Sequence, residues 1–277
     1  MNYFISSSRG KGLEEIILNR LRQENHPSQH QISVIPTPSA KLSKLKSIAL
    51  NIISSSTSDD LHIYFIGGFC DLTHMTSSKM EMNGRWNTYQ ELVFEEDPDQ
   101  AVPRLTELLQ STHTDIAKTN ATPIICTIPP GILQKWNNKR FTQNKTCILK
   151  HTDKYPQMQE HLIHSTVEVN KFITNLNNTI KACTPRLADW VLRKKKGKNK
   201  GYKIFDKALE DGVHGSVATK QIWGEMIADA IIHNRSHKSF RLLITIPNGP
   251  DSGSESDREV PRKRQKFVSE RSFHSSV

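Results

Sequence analysis

The sequence predicts an α/β protein: a three-layer α/β/α sandwich around a five-stranded parallel sheet. Five short runs are rich in β-branched and aromatic residues and are mostly continuous rather than alternating, as in strands covered on both faces. Segments with helical apolar spacing lie between these runs, and this alternation is typical of a doubly wound sheet. The five predicted strands are residues 3–6, 32–36, 61–66, 123–128 and 202–206.

The predicted helices lie between and after these strands. The first is LEEIILNRLRQ at residues 13–23, in which Leu13, Ile16, Ile17 and Leu21 form one apolar stripe. The other four predicted helices cover residues 42–53, 102–118, 157–182 and 218–232. Strand and helix therefore alternate five times along the chain.

Composition narrows the class of protein further. The chain has 277 residues, of which 35% are hydrophobic, enough for one sizeable core or two small ones. The N-terminus lacks the pattern of a secretory signal, and no apolar run approaches the roughly 20 residues of a membrane span. Four cysteines without a CxxC pair are typical of a reducing compartment. We therefore expect an intracellular protein with no membrane span, no metal and no cofactor.

The net charge of +10 favours polyanionic partners. One basic segment, RKKKGKNK at 193–200, is typical of a solvated loop but also of a surface that binds nucleic acid or acidic proteins. Its basic residues are Arg193, Lys194, Lys195, Lys196, Lys198 and Lys200.

The C-terminal stretch differs from the rest of the chain. Residues 248–277 are polar, charged and poor in aliphatic side chains, so we expect a domain at 1–247 followed by a disordered basic tail at 248–277. The tail contains PRKRQK, a cluster typical of a nuclear localisation signal. Its basic residues are Arg262, Lys263, Arg264 and Lys266. The tail predicts a nuclear or nucleocytoplasmic protein, with a merely solubilising role as the alternative.

Candidate site residues follow the predicted strands, where open α/β sheets bind their ligands. Ser8 comes after the first strand, Cys70 after the third, and Asp211 and His214 after the fifth. Ser8 alone is typical of a helix N-cap, and Asp211 with His214 alone is typical of a turn. Together, the serine, the histidine and the carboxylate have the parts of a nucleophilic site.

These segments resemble the SGNH/GDSL hydrolase family over roughly residues 2–235. FISSSRGKGL places Ser8 at the position of the nucleophile, and DGVHGS matches the block that holds the family's Asp and His. GFCDL matches a third block through Gly68 and Asp71. The resemblance implies a flavodoxin-like sandwich and an ester or acyl hydrolase with the triad Ser8, His214 and Asp211.

The same resemblance implies a weakened oxyanion hole, in the region of Ser39, Gly68 and Cys70. The family's Gly-Asp-Ser is Ser6-Ser7-Ser8 here, and its second-block glycine falls at Ser39. Its asparagine falls at Cys70, whose S–H is a weak donor. Loss of one oxyanion donor typically costs about 10²–10³ in rate.

Two functions remain open from the sequence. The first is a divergent esterase that acts on an ester substrate. The second is a catalytically inactive binding module that engages nucleic acid or acidic partners. Esterase-like domains similar to this one occur in proteins of some non-LTR retrotransposons, next to segments that bind nucleic acid. This analogy favours a mobile-element origin for the binding module.

Overall fold

The computed structural model describes residues 1–244 apart from residues 59, 83, 95, 144–152 and 196–200. Within these residues, eight strands are formed. They are β1 (Asn2–Ser6), β2 (Ile32–Pro36), β3 (Leu61–Ile66), β4 (His74–Met82), β5 (Arg85–Val93), β6 (Ala121–Ile125), β7 (Leu192–Lys194) and β8 (Tyr202–Ile204).

The helices of the described residues follow the predicted order, with three additions. They are α1 (Glu14–Gln23), α2 (Leu42–Ser55), α3 (Phe69–Leu72), α4 (Pro98–Ala117), α5 (Leu133–Gln143), α6 (Tyr155–Thr179), α7 (Leu187–Val191) and α8 (Val217–Ile244). The sequence did not predict α3, α5 or α7. None of the helices in the described part of the chain has the length and apolar character needed to cross a bilayer.

A central parallel sheet has the strand order β2-β1-β3-β6. All three neighbouring pairs in it are parallel. All six side chains of β3 are buried, and those other than His62 belong to two apolar clusters on opposite faces of the strand. Ile63 and Phe65 pack in the cluster that contains residues of α2, α4 and α6, whereas Tyr64 and Ile66 pack with residues of α1, α7 and α8. The predicted three-layer sandwich is therefore confirmed, with four strands instead of five.

The fifth predicted strand, residues 202–206, is wrong as a member of this sheet. Tyr202–Ile204 pairs with Leu192–Lys194 as a separate antiparallel hairpin. The edge of the sheet at β6 is covered instead by side-chain amides of α6. The Asn177 side chain accepts a hydrogen bond from the N–H of Ile125 at 3.1 Å and donates one to its C=O at 2.7 Å. Because these amides satisfy backbone groups that a fifth strand would pair, the edge is protected without one.

The sequence also missed the β4–β5 hairpin. Its strands are nine residues each and pair from His74 with Val93 to Met82 with Arg85. The Asn-Gly pair at 83–84 is a strong sequence signal for such a hairpin, and Gly84 has a φ of 71°.

The base of this hairpin is anchored in the core. The Asn137 side chain of α5 accepts from the N–H of Leu92 at 2.7 Å and donates to its C=O at 2.9 Å. The buried hydroxyl of Tyr155 donates to Glu91 at 3.0 Å. These bonds bring the base of the hairpin beside the carboxyl end of the sheet.

Candidate active site

Ser8 begins a tight 3-10 turn, Ser8–Gly10, directly after β1. The turn folds back onto the strand so closely that a Cβ at Gly10 would collide with the side chain of Ser6. Only glycine fits there. The turn therefore holds the half-buried Ser8 side chain at the carboxyl edge of the sheet.

Asp211 and His214 lie in a short loop before α8. The loop is closed by an antiparallel bridge between Leu209 and Gly215 and by a hydrogen bond from the N–H of Glu210 to the C=O of His214 at 2.8 Å. Inside the loop, Asp211 Oδ1 accepts the N–H of His214 at 2.7 Å. The Asp211 side chain thus fixes the backbone that carries the histidine.

Gly212 locks this loop against the start of α5. It has a φ of 92°, and a Cβ there would lie 2.5 Å from the carbonyl oxygen of Ile132 and 2.7 Å from the nitrogen of Trp136. The C=O of Gly212 accepts the N–H of Ile132 at 2.6 Å. The left-handed backbone and the close approach both require glycine.

Ser8, His214 and Asp211 form a continuous chain of hydrogen bonds. His214 Nε2 lies 2.9 Å from Ser8 Oγ, and His214 Nδ1 lies 2.7 Å from Asp211 Oδ2. Burial acts to raise the pKa of Asp211. The hydrogen bonds from the imidazole and from the N–H groups of His214 and Val213 outweigh burial and hold that pKa well below its usual range.

This charge state assigns the histidine tautomer. Asp211 is a carboxylate at neutral pH, so it accepts a proton from Nδ1, and Nε2 is left to accept the hydroxyl proton of Ser8. A hydroxyl bonded to an oriented imidazole can be deprotonated as it attacks an electrophile.

Ser39 lines the same cavity as Ser8 and His214. Ser39 is exposed and has a φ of 57°, a left-handed conformation that favours glycine. The backbone N–H groups of Ser8 and Ser39 donate no hydrogen bond within the described residues, and both remain available to a ligand.

Gly68 precedes α3 with a φ of 100°, and a Cβ there would collide with Ile128. Gly68 does not line the cavity with Ser8. Asp71, in the same block, accepts the N–H of Leu42 at 3.0 Å and so ties α3 to the start of α2. These contacts indicate a structural role for Gly68 and Asp71.

Cys70 lines the cavity with Ser8 and Ser39. Burial is the largest influence on its thiol and raises its pKa, so Cys70 is an S–H at neutral pH. A protonated thiol is a weak hydrogen-bond donor and a poor nucleophile. This charge state argues against a cysteine nucleophile in this cavity.

The cavity has a volume of about 450 Å³ and contains side chains that the sequence did not single out. Trp136 packs against His214, with ring centroids 5.6 Å apart and planes tilted by 57°. Arg140, one helical turn later, stacks over Trp136 at 5.3 Å. The lining also includes Arg9, Lys41 and His74. Two of these had a signal in the sequence: Arg9 directly follows Ser8, and His74 begins the hairpin that the Asn-Gly pair at 83–84 indicates.

The basic segments lie apart from this cavity or outside the described residues. Arg193, Lys194 and Lys195 are exposed at the β7 end of the small hairpin, and the guanidinium of Arg193 stacks 3.8 Å from the ring centre of Phe205. The other basic residues of the segment (Lys196, Lys198 and Lys200), the tail 248–277 and its cluster Arg262, Lys263, Arg264 and Lys266 lie outside the described residues.

The chain has an SGNH/GDSL hydrolase-like fold. A GDSL-like lipase from Bacteroides thetaiotaomicron matches it with a TM-score of 0.51 at 11% sequence identity, over 84% of this chain and 87% of the lipase. A candidate acylhydrolase from Bacteroides fragilis matches with a TM-score of 0.51 at 12% identity, over 84% of this chain and 86% of that one. No protein-family model and no curated protein matches the sequence.

Proposed function

We propose that the protein is a serine hydrolase that cleaves esters through an acyl intermediate on Ser8. The observation that carries this proposal is the unbroken hydrogen-bonded chain from Ser8 Oγ through the His214 imidazole to the Asp211 carboxylate. The similarity in fold to a GDSL-like lipase agrees with this chemistry but is fold-level support only.

In the first half of the reaction, Ser8 Oγ attacks the ester carbonyl while its proton passes to His214 Nε2. Asp211 stabilises the imidazolium that forms and keeps its Nδ1–H directed at the carboxylate. The imidazolium then protonates the departing alcohol, which leaves an acyl-Ser8. In the second half, water attacks the acyl group and gives its proton to His214, which passes this proton to Ser8 Oγ as the acyl–oxygen bond breaks and the acid is released.

Oxyanion stabilisation falls to backbone donors in this proposal. The N–H groups of Ser8 and Ser39 have no other acceptor among the described residues. The third donor of the family pattern is replaced by the S–H of Cys70, which binds a developing oxyanion weakly. We therefore expect slow turnover that nevertheless depends on Ser8.

Hydrolysis of p-nitrophenyl acetate by the purified protein tests this proposal. We expect Ser8→Ala and His214→Gln to remove the turnover. Ser47→Ala, which alters an exposed hydroxyl on α2, should retain it. Equal turnover by the native protein and Ser8→Ala, with both folded, would refute the proposal.

A binding module is the second candidate function. Three consecutive exposed cations, Arg193, Lys194 and Lys195, favour it, because clustered cations release counterions when they neutralise phosphates. Fluorescence anisotropy with a labelled oligonucleotide tests it. Replacing the three residues with glutamine should weaken binding and flatten its salt dependence, and an unchanged affinity would count against this role.

A further inference from the structure

The cavity that contains Ser8 has an unusual balance of charge. Among its lining residues in the described part of the chain are the cations Arg9, Lys41 and Arg140, and there is no aspartate or glutamate. The nearest carboxylates, Asp211 acting on Arg9 and Asp71 beside Lys41, lie outside the lining, so the wall of the cavity itself presents only cations.

The basic character of the whole chain does not explain this balance. A larger cavity of about 750 Å³, between α6 and the β7–β8 hairpin, has mixed charges. Its charged lining residues are Glu160, Glu168, Asp206, Lys171, Lys195 and Lys203. Acidic residues are therefore present in the lining of one cavity and absent from that of the other.

Arg9 provides the most deeply placed charge. Its side chain is buried, with 3% of the residue exposed, and its guanidinium stacks 3.9 Å from the ring centre of Phe69. Nη1 donates to the C=O of Pro129, whereas Nε and Nη2 have no hydrogen-bond acceptor among the described residues. Burial lowers the pKa of Arg9 to about 10, but the group stays protonated at neutral pH. Asp211 attracts this cation at a distance and acts to raise its pKa, but the two unused N–H groups of Arg9 still lack an acceptor, and such donors favour a further anion nearby.

Lys41 and Arg140 supply the more accessible charges. Lys41 is exposed at the start of α2, two residues after Ser39, and Arg140 is half-buried on the Trp136 face of α5. Neither forms an ion pair with a carboxylate of the described residues, although Lys41 acts to lower the pKa of Asp71. Both cations are thus available to an anion bound beside Ser8.

We propose that the Ser8 cavity takes esters that carry an anionic group, a carboxylate or a phosphate, and that Arg140 and Lys41 bind this group. This inference rests on the proposed function of Ser8 and specifies its substrate class. A guanidinium held against an aromatic ring presents a planar pair of donors, which suits the two oxygens of a carboxylate or phosphate. Arg9, buried in the wall of the cavity and stacked on Phe69, adds electrostatic attraction for the same anionic group.

A pair of esters matched in length tests the proposal. Mono-p-nitrophenyl succinate carries a free carboxylate, and p-nitrophenyl butyrate is neutral. We expect the native protein to favour the succinate ester by about tenfold or more in kcat/KM, which corresponds to roughly 1.4 kcal/mol. The ratio should fall toward one in Arg140→Gln, fall by a smaller factor in Lys41→Gln, and also fall with added salt.

The matched control is Arg22→Gln, which removes an exposed cation of α1 that pairs with Glu15. The ratio should be unchanged in this variant, and the butyrate ester reports any general damage in the others. Inhibition of butyrate hydrolysis by succinate and by glycerol 3-phosphate distinguishes a carboxylate site from a phosphate site. A native ratio near one, or a ratio that Arg140→Gln and Lys41→Gln leave intact, would overturn the inference.

Absence of turnover on both esters would refute the proposed hydrolase and leave the anion site testable by itself. Calorimetric titration of succinate and of glycerol 3-phosphate into the folded native protein then tests whether the cavity binds anions. Binding that is lost when Arg140 and Lys41 are both replaced with glutamine supports the site. Failure of both anions to bind the native protein overturns it.

Discussion

The two sides of the Ser8 cavity differ in how fully their polar groups are committed. On the side proposed to transfer protons, Ser8, His214 and Asp211 are hydrogen-bonded in series, and glycines fix the backbone of both loops that carry them. On the side proposed to bind the oxyanion, Ser39 and Cys70 line the cavity, and the Ser39 N–H is unused within the described residues. One side is complete without a ligand, and the other has a weak donor where the family pattern has an amide.

The carboxylates of Asp211 and Asp71 show how hydrogen bonding to a buried group changes its pKa. Asp211 and Asp71 are both partly buried, and each accepts backbone N–H bonds. Burial dominates at Asp71 and raises its pKa, whereas the imidazole and two N–H groups more than offset burial at Asp211 and lower its pKa. The opposite shifts follow from the deeper burial of Asp71 and from the greater number of hydrogen bonds, one of them from an imidazole, that Asp211 accepts.

The largest expected effect comes from breaking the proton-transfer side. Asp211→Asn places an amide against Nδ1 and favours the wrong histidine tautomer. We expect the kcat of ester hydrolysis to fall by a factor on the order of 10⁴, as in other Ser-His-Asp sites. Asp229→Asn, on the exposed face of α8, is the control. A loss smaller than tenfold would mean that Asp211 does not orient the imidazole.

The lowered pKa of Asp211 predicts that the stability of the protein depends on pH. Because folding lowers the pKa of Asp211, its stabilising contribution is complete above the unfolded value of about 3.9 and is lost as the pH falls toward the folded value. Urea unfolding of the native protein and Asp211→Asn between pH 7 and pH 3 measures this. The difference in unfolding free energy should be constant above about pH 5 and shrink below about pH 4. A difference that grows in acid would contradict the direction of the shift.

Gly212→Ala tests how rigidly the histidine loop is held. The new Cβ would lie 2.5 Å from a carbonyl oxygen in a left-handed backbone, so we expect a loss of roughly 2–4 kcal/mol in unfolding free energy. Gly12→Ala has a similar φ of 83° but no atom within 4 Å of the new Cβ. That variant should lose only about 1 kcal/mol. Equal losses in the two variants would show that the contact with α5 contributes nothing.

Cys70→Asn tests the oxyanion side. An amide N–H binds a developing oxyanion more strongly than S–H does, so Ser8-dependent turnover should rise by about tenfold or more, at least roughly 1.4 kcal/mol. Cys70→Ala removes the thiol without adding a donor and should give no rise. A folded Cys70→Asn variant whose turnover does not rise would show that the weak S–H donor of Cys70 does not limit the rate.

The smallest expected effect is at Ser39. Ser39→Gly relieves a left-handed backbone at φ 57°, but glycine also makes the unfolded chain more flexible. We expect a net gain of at most about 1 kcal/mol in unfolding free energy. Lys181→Gly, at the same φ after α6, should respond alike. A loss of stability at Ser39 alone would indicate a side-chain contact that stabilises this loop.

Parts of the fold that depend on local pattern were predictable from the sequence. The buried strands β1, β3 and β6 and the amphipathic helices α1, α2 and α4 have continuous or periodic apolar residues. The strand at 202–206 has the same apolar pattern but lies outside the sheet. The side chain of Asn177 in α6 bonds the backbone of Ile125 at the sheet edge that a fifth strand would pair with, and no local pattern encodes this contact.

The residues of the candidate site also divide into those that local sequence patterns predict and those that only tertiary packing brings to the cavity. Ser8, Asp211 and His214 were found because they follow predicted strands in a spacing that matches a known pattern. Trp136 and Arg140 were missed because their helix α5 has a weak apolar pattern and reaches the cavity only through tertiary packing. The hairpin that contributes His74 had an Asn-Gly signal that could have identified it.

Covalent labelling tests the central claim, that Ser8 is an activated nucleophile, most directly. A fluorophosphonate probe is added to the native protein, Ser8→Ala and Ser47→Ala, and the modified peptide is identified by mass spectrometry. The account predicts close to one probe per molecule on Ser8 in the native protein and in Ser47→Ala, and none in Ser8→Ala. A folded native protein that is not labelled, or is labelled equally when Ser8 is alanine, would contradict it.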